Sequence, residues 1–136
     1  MSKVVLIACA AKKRERPAPA RELYQSSLFR LSLAYAERLR PDAIHILSAK
    51  HGLVDLDQLL APYDLTLNAL PYRSVKAWAQ GALEELADRY ELARDVFVFL
   101  AGTKYRKYLI PELAHAEVPL EGLTIGRQLR WLAERT

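Results

Sequence analysis

The stretch Asp42-Ala-Ile-His-Ile-Leu-Ser-Ala-Lys-His-Gly-Leu-Val-Asp55 decides how the chain is read. Its first half, Ala43–Leu47, reads as a buried strand, and the strand gives way to Lys50, His51 and Gly52 in immediate succession. A strand that only had to stop could use any turn. A cation beside a titratable imidazole asks for a chemical reading as well as a structural one.

Two further runs resemble the first. Lys3–Ala8 is a continuous β-branched and aliphatic segment, the pattern of a strand covered on both faces, and Asp95–Leu100 is a third. Between them the apolar spacing turns helical. Leu23, Leu28, Leu31, Leu33, Tyr35, Ala36 and Leu39 predict a helix over 21–40 closed by Pro41, and Val75, Trp78, Leu83 and Leu86 predict one over 74–90. The segment 9–20, with basic residues and two prolines, predicts a long loop, and 55–71 predicts an irregular excursion. After the third strand a glycine turn at Gly102 opens a helix expected to end near Pro111. The segment 116–120 offers a short fourth strand, and 123–134 a final amphipathic helix with Leu129 and Leu132 inward. Buried strands alternating with helices imply a single α/β domain over 1–136: three α/β/α layers around a small, mostly parallel sheet, Rossmann-like in outline.

Composition agrees with that frame. The chain has 136 residues, 51% hydrophobic and 26% charged, an ordinary globular balance. No apolar run reaches membrane-spanning length and no secretory pattern opens the chain, so a cytoplasmic protein with no membrane partner is expected, monomeric or homodimeric. One cysteine, Cys9, excludes an internal disulfide and a cysteine-based zinc site. A net charge of +4 permits anionic partners.

Parallel sheets place ligands at the carboxyl ends of their strands. The first strand ends at Cys9 and leads to Lys13; the second ends at Ser48 and leads to Lys50, His51 and Gly52; the third leads to Gly102 and Tyr105. These are the candidate site. The lysines would meet phosphate or carboxylate, and a desolvated lysine can act as base or nucleophile. His51 would exchange a proton. The glycines would allow close backbone approach, and the helix after Gly102 would aim N–H groups at an anion. Tyr24, Ser26 and Ser48 would orient a polar ligand, and Tyr63 or Tyr105 would stack on a base. Asp64 is the best single carboxylate, as base or as orienter of Lys50 or His51. Each also has a plainer reading: Gly52 as a strand terminator, Lys50 as a solvated turn residue, Cys9 as a small buried hydrophobe, Asp64 as an Asx turn, Tyr24 as core. His45 reads as structural. No P-loop, GxGxxG, HExxH or GxSxG motif is present, and neither metal nor organic cofactor is required.

The ordered set CAAKK (Cys9–Lys13), LYQSSLF (Leu23–Phe29), SAKHGL (Ser48–Leu53), PYD (Pro62–Asp64) and LAGTKYRKYL (Leu100–Leu109) resembles an uncharacterised bacterial and phage domain family over residues 4 to about 132. That family reads Cys-Ser-x-x-Lys at the first motif, and Ala10 stands here in place of the serine. The resemblance carries no assigned activity. The Cys-x-x-x-Lys turn, with a later Tyr-x-Ser, is also similar to a motif in the core domain of archaeosine synthase, a tRNA base-modifying enzyme whose core has a uracil-DNA-glycosylase-like fold; that likeness covers the first strand and loop and implies a pocket for a nucleobase.

The expectation is therefore a small α/β protein that binds a nucleobase or nucleotide, free or within DNA or RNA, and acts on a glycosidic bond or modifies the base. Lys50, His51 and Asp64 would be catalytic. The rivals are a non-catalytic, stress-associated nucleic-acid-binding protein, with 12–16 and 103–108 on phosphates, and a nucleotide-binding sensor.

Overall fold

The computed structural model describes residues 1–136. The chain opens with β1 (Lys3–Ala8), then a loop containing β2 (Ala18–Pro19), the one-turn α1 (Ala20–Leu23) and the longer α2 (Ser27–Arg38). β3 (Ala43–Ser48), β4 (Gly52–Asp55), β5 (Leu59–Leu60), a 3-10 turn over Leu67–Ala69 and α3 (Tyr72–Arg89) follow. The last third holds β6 (Val96–Leu100), α4 (Thr103–Arg106), a 3-10 turn over Ile110–Glu112, β7 (His115–Glu117) and α5 (Ile125–Ala133).

Five strands form one sheet in the order β4-β3-β1-β6-β7, parallel throughout except for β4. Strand alternation sorts the core into two layers. Val5 and Ile7 of β1 face Phe29 and Ala36 of α2 and Leu132 of α5, while Val4 and Leu6 face Val75, Ala79, Ala82 and Leu86 of α3. The architecture is the expected three-layer α/β/α, with both sheet faces covered, which is why the central strands read as unbroken apolar runs.

Three elements differ from expectation. The segment after Ser48 turns back on itself: Ala49–His51 form a tight reversal, and Gly52 enters β4 at φ 72°, pairing with Ser48. This three-residue hairpin loop, closed by a left-handed glycine, accounts for the Lys-His-Gly sequence in backbone terms. The helix expected over 21–40 is two helices, because Tyr24 is extended (ψ 129°) and bridges to Lys13, with Arg14 N–H donating to Leu23 O at 2.9 Å and Gln25 N–H to Lys12 O at 2.8 Å. The second helix restarts at Ser26, whose hydroxyl caps Phe29 N–H at 3.0 Å, an arrangement typically contributing about 1 kcal/mol. The helix after Gly102 lasts one turn. Beyond it the bonds shorten to the i,i+3 type, Leu109 N–H donating to Arg106 O at 3.1 Å and Glu112 N–H to Leu109 O at 3.0 Å.

From β1 the chain proceeds to β3 on one side, and from β6 to β7 on the other. Connections that leave two adjacent strands in opposite directions leave a crevice at their carboxyl ends. β2 and β5 pair antiparallel beside it and tie the loop after β1 to the segment carrying Tyr63 and Asp64.

Candidate functional site

The crevice gathers side chains from five separate segments. Cys9 follows β1 directly, its N–H donating to Leu47 O at 3.0 Å, and its Sγ lies 3.3 Å from the Tyr105 hydroxyl, which also accepts from Leu67 N–H at 3.2 Å. Beside it runs a chain of hydroxyls. Tyr24 and Tyr63 are 2.5 Å apart, Tyr63 and Ser48 are 2.7 Å apart, and Ser48 Oγ accepts from His51 N–H at 3.0 Å. Trp78 Nε1 donates to Ser48 O at 2.8 Å, fixing the strand end from the α3 side. Burial pushes the Tyr24 phenol up to about 12, partly offset by its bond to Tyr63. Burial likewise raises Tyr63, with the neighbouring Cys9 acting in the same direction, and raises Tyr105. All three phenols therefore remain neutral hydrogen-bonding groups at physiological pH.

Lys13 lies over this network. Its Nζ is 4.3 Å from the centroid of the Tyr63 ring and 5.8 Å from that of Tyr24, and it donates to Ala11 O at 3.1 Å. Partial burial lowers its pKa, opposed by the charge interactions with Cys9 and Asp64 that favour the ammonium. Asp64 itself is exposed. Lys50 and His51 stand at the rim as exposed turn residues: Lys50 Nζ is 5.9 Å from the Tyr63 centroid, and the His51 ring meets Tyr63 edge-on at 5.3 Å. Desolvation, then the Lys50 charge, lowers the His51 pKa. Tyr63 is thus the common neighbour of Lys13, Lys50 and His51.

A cavity of about 270 Å³ opens on the α2 and α5 side of the same crevice. Cys9, Ser26 and Gly102 line it together with Ser32, Arg106 and Gln128, while Ile7, Phe29, Leu100 and Leu120 supply apolar surface. The sequence singled out neither Ser32 nor Gln128, and Arg106 only as part of the basic run 103–108. Arg106 follows Gly102 by one helical turn, a spacing that carries a readable signal, whereas Ser32 and Gln128 meet across α2 and α5 through tertiary packing alone.

Several expected positions have other work. Gly52 faces α3, and a side chain there would collide with the Glu85 carboxylate, so the hairpin explains this glycine. Tyr24 and Tyr105 are buried, so they brace the site through their hydroxyls. α4 is too short to aim a helix dipole into the crevice. Lys104 Nζ lies within hydrogen-bond distance of the carbonyls of Leu67, Asn68 and Leu70, capping the 3-10 turn. His45 is buried in β3 with Nε2 2.5 Å from the Tyr90 hydroxyl, consistent with a structural role. Nowhere does the chain assemble three or more His, Cys, Asp or Glu side chains in a metal-binding group, and no helix is long and apolar enough to cross a membrane.

The fold and crevice define a small α/β protein with a mixed polar and apolar site at its topological switch point. The chain belongs to a family of unknown function (DUF6884), whose model matches residues 4–134. No curated protein matches it.

Proposed function

We propose that the crevice binds a nucleobase or nucleotide and that the protein acts on it, at the glycosidic bond or on the base, without an organic cofactor. The observation that carries this reading is Lys13: a partly desolvated amine lying on the face of Tyr63, with Asp64 favouring its charge, beside a cavity with apolar walls and convergent polar groups. In this reading Lys13 meets the electron-rich or anionic part of the ligand, and Asp64 orients that amine or removes a proton. Lys50 and His51, at the rim, contact the more exposed part of the ligand, with His51 exchanging protons. Tyr63 transmits the positions of these three to the buried hydroxyl chain.

The test is a thermal-shift series of nucleosides, nucleotides and short oligonucleotides, followed by chromatographic assay for released or altered base. A ligand that binds the native state raises its melting temperature by mass action. The expected result is a shift with wild type that is lost in Lys13→Met, with turnover of the same compound. Absence of any shift at millimolar concentrations would sink the reading. One observation favours a second reading: Lys12, Arg14 and Arg16 are exposed together on the loop beside the crevice. Oligonucleotide binding that weakens steeply with salt and persists in Lys13→Met would favour simple phosphate contact.

A further inference from the structure

The cavity beside Cys9 has a donor and acceptor pattern of its own. Ser32 is 2% exposed and lines the cavity, where its hydroxyl can meet a ligand. Gln128 is half-buried on α5, and its Nε2 donates to Leu123 O at 2.9 Å. That bond fixes which end of the amide is occupied and leaves Oε1 free to accept. Arg106 spends Nη1 on Ala101 O at 2.7 Å and keeps its remaining N–H groups, which can only donate. No carboxylate lines the cavity.

The remaining polar capacity is thus guanidinium N–H groups, the hydroxyls of Ser26 and Ser32, the Cys9 thiol and an amide carbonyl, set in walls formed by Phe29, Ile7, Leu100 and Leu120. A cationic ligand finds no counter-charge there. A flat ring with a C=O beside an N–H satisfies both kinds of group: the carbonyl accepts from Arg106 or Ser32, and the N–H donates to Gln128 Oε1. With the sugar directed outward past Cys9 and the exocyclic group set against Arg106, the pose this inference assigns, the matching amino-substituted ring presents an N–H₂ where a donor already waits, and a bare ring nitrogen opposite Gln128 Oε1. At about 270 Å³ the cavity lies near the lower end of the ligand-pocket range. It has room for a base, while sugar and phosphate would remain outside by Cys9 and Lys13.

We propose that this cavity is the base-recognition compartment and that it selects bases with a lactam edge, such as uracil, thymine, hypoxanthine or guanine, over the amino-substituted cytosine and adenine. The inference rests on the reading of the crevice as a nucleobase site and adds which bases it takes.

Matched pairs test it, because uridine 5′-monophosphate and cytidine 5′-monophosphate differ at this edge alone, as do inosine and adenosine 5′-monophosphates. Titration calorimetry of wild type is expected to give tenfold or greater preference for the lactam member of at least one pair. Gln128→Met, at a half-buried position, and the small change Ser32→Ala should each reduce that preference toward parity while the circular dichroism spectrum stays unchanged. Equal binding of both members by wild type overturns the inference and leaves the nucleobase reading standing, as does a preference that survives both substitutions. If wild type binds none of the four, the nucleobase reading falls and takes this inference with it.

Discussion

Two single positions concentrate the constraints on the crevice. Gly52 sits at φ 72°, where an L side chain costs roughly 1–2 kcal/mol, and its missing Cβ leaves space for the Glu85 carboxylate. Gly52→Ala is therefore expected to lose at least that much stability in urea unfolding; an unchanged midpoint would show that the hairpin relaxes freely. Tyr63 is the other. Its hydroxyl links Tyr24 to Ser48, so Tyr63→Phe leaves the buried Tyr24 hydroxyl short of its partner. The expected cost is about 1–3 kcal/mol, and denaturant unfolding of the variant checks it. The ring remains beneath Lys13 in this variant, so ligand affinity should fall less than in Lys13→Met.

At the scale of elements, the β3–β4 hairpin meets the end of α3 through a buried imidazole. His45 Nδ1 is 2.9 Å from Asp55 Oδ1, close in distance yet outside hydrogen-bond alignment, and Asp55 also pairs with Arg89 at 3.0 Å. Burial, then the Arg89 charge, holds the imidazole below its ordinary value, and the pull of Asp55 does not cancel them. The folded state thus favours the neutral ring. That preference stabilises the fold above the unfolded imidazole pKa of about 6.5 and is lost as pH falls through and below it. Replacing His45 by Gln is expected to flatten the decline of the denaturation midpoint between about pH 7 and pH 5. A variant with the wild-type slope would assign the decline to another group, the rim imidazole of His51 being the next to test.

For the whole molecule, the two tryptophans report on opposite layers. Trp78 packs with the α3 layer, and Trp131 packs with the α2 and α5 layer, meeting the Tyr35 ring edge-on at 5.0 Å. Because one sheet forms the floor of both layers, each should lose its environment in the same transition. Fluorescence of Trp131→Phe, which isolates Trp78, and of Trp78→Phe, which isolates Trp131, is expected to follow each variant's own far-ultraviolet circular dichroism midpoint. Separate midpoints within one variant would mean that the α5 layer opens alone and the cavity with it.

How much of this was legible in the sequence follows from the range of each interaction. Val4–Ala8 and Val96–Leu100 are apolar without interruption, and Ala43–Leu47 is broken only by the buried His45, because both sheet faces are covered, so local pattern alone identified the buried strands and the layered fold. The break at Tyr24 escaped the same reading, because it depends on a bridge to Lys13 and a phenol bonded to Tyr63, partners 11 and 39 residues away. β4 was hidden for a related reason: Gly52 is equally compatible with a stop and with a reversal until the strand after it finds its partner. Strand ends in a parallel sheet share one edge, which is why Cys9, Lys13, Ser48 and Gly102 could be placed near one another before any coordinates. Only tertiary packing decided that Lys13 lies on Tyr63, that Lys104 caps a 3-10 turn, and that Ser32, Arg106 and Gln128 face one cavity, since those contacts are made between elements whose local sequences carry no record of one another.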